Sequence, residues 1–84
     1  MEEKEVGIVF DYFSQPKVAA IKVSGDLSVG DRIQIKGHTT DFEMTINSMQ
    51  INREEVEEVG VGQSVGIKVS EKVRSGDKVY KVSE

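Results

Sequence analysis

With 84 residues and no cysteine, the chain is sized for one small domain whose core comes from packing alone, without disulfides or thiolate-bound metal. Its formal net charge of −4 argues against gripping nucleic acid by bulk electrostatics. No apolar run reaches the roughly 18–20 residues of a membrane helix, and the opening Met1-Glu2-Glu3-Lys4-Glu5 is too polar for a signal peptide or anchor.

A cytoplasmic location without a membrane partner is therefore expected. The aliphatic residues are 13 Val and 7 Ile against 1 Leu and 2 Ala. That β-branched bias fits pleated surfaces and predicts an all-β domain over residues 1–84, with residues 1–4 and 83–84 as flexible ends. Charged residues, mostly Glu and Lys, make up 31%, a composition compatible with a thermophilic source.

In chain order, the first strand is expected at residues 6–12, with Val6, Ile8, Phe10 and Tyr12 alternating onto the core face. Ser14-Gln15-Pro16 ends it, since proline cannot donate to a ladder. A second strand over residues 17–23 turns Ala19, Ile21 and Val23 inward. A turn over residues 25–31, with Leu27 and Val29 tucked beneath it, leads to a third strand at 32–36. There Ile33 and Ile35 face in, and Arg32, Gln34 and Lys36 face out.

A loop of turn formers, Gly37-His38-Thr39-Thr40-Asp41, precedes a fourth strand over residues 42–51. Its alternation slips from Phe42, Met44 and Ile46 to Met49 and Ile51, which predicts a bulge near Asn47-Ser48. Residues 53–58 read as an extended connection with at most one helical turn. The last two strands fall near 64–70 and 78–82. Three phrases, Gly30-Asp31-Arg32-Ile33, Gly62-Gln63-Ser64-Val65 and Gly76-Asp77-Lys78-Val79, repeat one pattern of turn glycine, polar residue and alternating strand. Six short strands joined by such turns predict a small closed six-stranded β-barrel.

Motifs for chemistry are scarce. The pair Gly25 and Gly30 has P-loop spacing, but Asp31-Arg32 follows where Lys-Ser/Thr must stand, and an aspartate there repels phosphate. Gly60 and Gly62 precede a strand rather than a helix, so no dinucleotide fingerprint is present. No nucleotide or other cofactor is expected. His38 has only Asp41 near it in sequence, too few ligands for a metal. Without cysteine, and with Glu54, Glu55, Glu57 and Glu58 in a solvated run, no nucleophilic or acid–base site is evident, and the chain reads as no enzyme. Phe13 and Tyr80 read as exposed aromatics, able to stack on a base or to pack at a protein interface.

Taken together, Gly25 to Gly37 (G-D-L-S-V-G-D-R-I-Q-I-K-G), M-T-I-N-S-M-Q-I, V-E-E-V-G-V-G-Q-S-V-G-I-K-V and S-G-D-K-V-Y resemble the β-barrel domain II of translational GTPases, the elongation factor Tu and initiation factor 2 class. The likeness covers residues 6–82. Within that class the chain resembles the short stand-alone translation elongation factor-like proteins, on Gly37-His38-Thr39-Thr40-Asp41-Phe42 and Ser48-Met49-Gln50. It departs in having Gln15-Pro16-Lys17 for a glycine-rich hairpin, Val59 for alanine and Gln63 for an acid.

The resemblance implies a translation-related binding module that contacts tRNA, ribosomal RNA or a translation-associated protein. The residues assigned to that contact are Arg32, Lys36, Lys68, Lys72, Arg74 and Lys78 as a basic face, with Tyr80 and the loop residues His38, Thr39, Thr40 and Asp41. A solvated strand surface is the competing reading of the basic residues, and a loop capping its own backbone that of the loop. The alternative function is a protein–protein adaptor acting in trans on a separate enzyme or factor, through residues 54–58 and the loop 37–42.

Overall fold

The computed structural model describes residues 2–15 and 17–83, with side chains from Lys4 to Val82. Met1, Pro16 and Glu84 lie outside the described residues, and so does the strand break assigned to Pro16. The strands are β1 (Glu2–Phe13), β2 (Val18–Val23), β3 (Leu27–Ser28), β4 (Arg32–Lys36), β5 (Asp41–Thr45), β6 (Met49–Ile51), β7 (Glu54–Val56), β8 (Glu58–Val59), β9 (Ser64–Lys68) and β10 (Lys78–Ser83). The fold is all-β, as the Val and Ile content requires. Among the described residues no helix is long and apolar enough to cross a membrane.

Eight strands form one antiparallel sheet in the order β5-β4-β10-β1-β2-β9-β6-β7, and β3 pairs with β8 separately. The expected closed six-stranded barrel is corrected on two points. The strands are more numerous, and no ladder joins the end strands β5 and β7 among the described residues. The strand expected over residues 42–51 is in fact two. The chain leaves the sheet after Thr45, runs through the fully buried Ile46 and through Asn47 and Ser48, and β5 and β6 stand near opposite ends of the strand order. The slip in alternation marks this break, not a bulge. Residues 54–56 are strand β7, with no helical turn.

β1 departs most from its expected pattern. Its register shifts against β10 between Glu5 and Gly7, and against β2 between Val9 and Asp11. Each shift inserts a residue and reverses the facing of the residues after it. Val6 and Val9 therefore point into the core at 1% and 0% exposure, while Ile8 and Phe10 are 41% and 49% exposed. The core face assigned to Ile8 and Phe10 is thus wrong. Tyr12 does pack against the core, partly buried. Backbone at residues 2–4 pairs with residues 81–83, so the described part of the termini is strand.

The three repeated phrases fold alike. Asp31 N donates to Ser28 O while Ser28 N donates to Asp31 Oδ2, at 3.0 and 2.9 Å. Asp77 and Arg74 make the same exchange at 3.1 and 2.8 Å. Gln63 and Gly60 repeat it at 3.3 and 2.7 Å, the Gln63 amide oxygen replacing a carboxylate. The third residue of each turn is Gly30, Gly76 or Gly62, at φ 99°, 98° and 89°, the sign that a type II turn demands.

Candidate functional site

The two shifts in β1 have a consequence on the outer surface. The first, between Glu5 and Gly7, puts Phe10 on the outer face, and after the second, between Val9 and Asp11, Phe13 shares that face at 50% exposure. Across the sheet, Ala20 on β2 is in register with Gly66 on β9, and Gly66 with Gln50 on β6. Two very small residues in adjacent strands make a low floor. Phe10 and Phe13 rise on one side of it, Gln50, Asn52 and Arg53 on the other. The result is a groove of about 670 Å³, lined also by Gln15, Val18, Ser64 and Val65.

The far wall is a two-residue hairpin. Ile51 pairs with Glu54, and Asn52 and Arg53 between them have φ 52° and 68°. Positive φ at both positions is the type I′ pattern, which favours Asn first and Gly second. Arginine in the second place carries about 1–2 kcal/mol of backbone strain. Gln15, Gln50, Asn52 and Arg53 have no side-chain hydrogen bond or ion pair with any described residue. Chemically the groove can stack, hydrogen-bond and attract a carboxylate.

The residues assigned from the sequence fall into separate groups. Arg32, Lys36, Asp41, Lys78 and Tyr80 share the outer face of β5, β4 and β10, where most are engaged. Arg32 Nε bonds Glu43 Oε2 at 2.8 Å, Gln34 Nε2 donates to Asp41 Oδ1 at 2.8 Å, and Lys78 Nζ lies 3.6 Å from Glu5 Oε1. Lys36 Nζ stands 5.6 Å from the Tyr80 ring centroid, a cation–π contact that occupies that face of the ring. Lys68 lies on β9, separated from β10 by β1 and β2, and Lys72 and Arg74 are exposed in the following loop. The six cations therefore do not form one continuous strand face. His38 and Thr39 are exposed, but Thr40 is buried, and Gly37 N donates to its carbonyl at 2.7 Å. That backbone bond closes the loop on itself, while the Asp41 side chain is bonded to Gln34 on β4 rather than to the loop's own backbone. Of the assigned residues only Lys68 borders the groove, in register with Val18.

Phe13 is exposed as the sequence predicts, but Phe10 was missed because strict alternation placed it in the core, and Gln50, Asn52 and Arg53 were not singled out. Two signals pointed to them: Gly7 inside a strand pattern, which marks a bulge, and Asn52 between two strand segments, which marks a hairpin.

No protein-family model matches the chain. It is 42% identical over 81 residues to an uncharacterized protease of Methanocaldococcus jannaschii, covering 95% of this chain and 20% of that protein. It is 38% identical over 78 residues to a collagenase of Porphyromonas gingivalis, covering 90% of this chain and 22% of that protein. The chain is similar to proteases, not to translation factors. It spans about a fifth of the length of the curated relatives it matches. Among solved structures, the C-terminal domain of a putative U32 peptidase from Geobacillus thermoleovorans superposes with a TM-score of 0.86 at 18% identity. The match covers 90% of this chain and 96% of that one, a likeness of fold.

These findings overturn three expectations. The translation elongation factor-like resemblance fails, because turn glycines feeding alternating strands describe a fold that unrelated functions share. The translation-related RNA-contacting role falls with it. The reading that the chain is no enzyme is corrected too: it was drawn from the lack of a catalytic motif within these residues, whereas the relatives are named for proteolysis.

Proposed function

We propose that the chain works as the C-terminal-type domain of a U32-type peptidase and that its outer groove is where this domain meets polypeptide. The observation that carries this reading is the pairing of two matches. One joins 95% of the chain to a fifth of a protease, and the other superposes it on nearly all of a separate peptidase C-terminal domain. The cleaving chemistry in this reading belongs to the remaining four-fifths of such a protein. The collagenase relative suggests that the polypeptide is extended rather than globular.

The closed form of the sheet belongs to the same reading. Val29 N donates to Glu57 O, Gly30 N to Ile46 O and Ile46 N to Asp31 O, so the β3–β8 pair and the chain after β5 are tied together between the sheet's ends. In this reading the ribbon, in place of a ladder between β5 and β7, braces the sheet into a rigid platform, and rigid platforms hold binding surfaces more accurately than loops do.

The test replaces the matching 81-residue segment of the M. jannaschii relative with this chain and compares it with a simple deletion. Cleavage of gelatin and of a short chromogenic peptide is then measured. The deletion is expected to lose gelatin cleavage while still cleaving the short peptide, and the replacement to restore it. Equal gelatin cleavage with and without the segment contradicts the proposal.

A further inference from the structure

Resting on that reading, we infer that the groove takes a polyproline II segment, one that carries a carboxylate at its Arg53 end. Four features of the site decide among polypeptide conformations. First, the floor of the groove is made of strands paired on both sides: Ala20 is in register with Asp11 on β1 and with Gly66 on β9, and Gly66 also with Gln50 on β6. An extended peptide lying across that floor meets no free edge to join as a further strand.

Second, the walls offer side-chain hydrogen-bonding groups instead. Gln15, Gln50, Asn52 and Arg53 are all uncommitted among the described residues. A helix satisfies its own backbone and has no use for them. A polyproline II chain has no internal hydrogen bonds, so its carbonyls need outside donors. Third, Phe10 and Phe13 are half exposed at adjoining positions, and aromatic-lined grooves are the recurring seat of proline rings. Fourth, the span fits. From β1 to β6 there are three strand spacings of about 4.8 Å, or about 14 Å, which holds roughly four to five residues at about 3.1 Å rise.

Charge fixes the direction. Arg53 is the only charged residue among the described residues that line the groove. Asp11 and Glu55 stand at the flanking positions beside Ala20 and Gln50, and Lys22 and Lys68 stand opposite Ser64 and Val18. The balance inside the groove is positive although the whole chain is at −4. Arg53 is also held at φ 68°, where glycine is favoured, so a cation is presented on a strained backbone.

The experiment is fluorescence anisotropy of the 84-residue chain with three labelled probes: (Pro-Pro-Glu)4, the equally charged flexible (Gly-Ser-Glu)4, and a twelve-nucleotide oligouridylate. The proline probe is expected to bind about tenfold or more tighter than either of the others. Phe10→Ser with Phe13→Ser is expected to weaken it about tenfold or more, as truncating interface aromatics does. Both residues are half exposed, and near-ultraviolet circular dichroism confirms that the variant folds. Arg53→Gly, which relieves the strained turn, is expected to weaken (Pro-Pro-Glu)4 but not (Pro-Pro-Gln)4. Equal binding of the flexible peptide, tighter binding of the oligonucleotide, or indifference to the Phe substitutions overturns the inference. If these results are negative while the segment still governs gelatin cleavage, only the ligand class falls and the peptidase reading stands.

Discussion

Two kinds of glycine can be told apart by substitution. At Gly30 and Gly76 an added Cβ meets nothing within 4 Å, but φ is 99° and 98°. Alanine there incurs backbone strain alone, about 1–2 kcal/mol each. For a domain this size that lowers Tm by roughly 4–8 °C per kcal/mol, readable by calorimetry. Gly37 is the opposite case: its backbone is ordinary, but an added Cβ would collide with the buried Asp77 carboxylate. Gly37→Ala is expected to cost about 1–3 kcal/mol. Asp77→Ala removes both the obstacle and the bond to Arg74 N, so the double variant should cost clearly less than the sum of the singles. Additive losses would show that the two residues do not press on one another. Arg53→Gly runs the other way and should raise stability by about 1 kcal/mol in a urea melt.

Among the elements, β1 shows how far alternation carries a sequence reading and where it stops. β2, β4 and β9 were legible because each keeps strict period two, with Ile21, Ile33, Ile35 and Ile67 all at 0% exposure. β1 was legible as a strand but not in its facing, since two register shifts undo the parity within its twelve residues. The split of β5 from β6 was visible only as a slip at Asn47 and Ser48, which alternation alone cannot distinguish from a bulge. Half of the aromatic wall was lost for the same reason, since Phe10 stands where a shift exposes it, whereas Phe13 was legible as exposed. Val9→Ala should therefore cost about 2 kcal/mol or more, and Phe10→Ser within about 0.5–1 kcal/mol. The reverse order of losses in denaturant melts would restore the unshifted register.

At the scale of the whole molecule, charge on the β4–β10 side is internally paired. The Arg32–Glu43 pair is 55% and 35% exposed, and Lys78–Glu5 is 53% and 39% exposed. Such surface pairs contribute about 0–1 kcal/mol, so Glu43→Gln should move the melt little, and high salt should move it little too. What that side lacks, the groove has: apolar area, uncommitted amides and a guanidinium with no partner among the described residues. The measurement that bears most directly on this division is gelatin cleavage by the M. jannaschii relative carrying this chain in place of its own segment, with and without Phe10→Ser and Phe13→Ser. The groove account predicts that the substituted form loses gelatin cleavage about tenfold or more, close to the deletion. Cleavage equal to that of the unsubstituted replacement would contradict it.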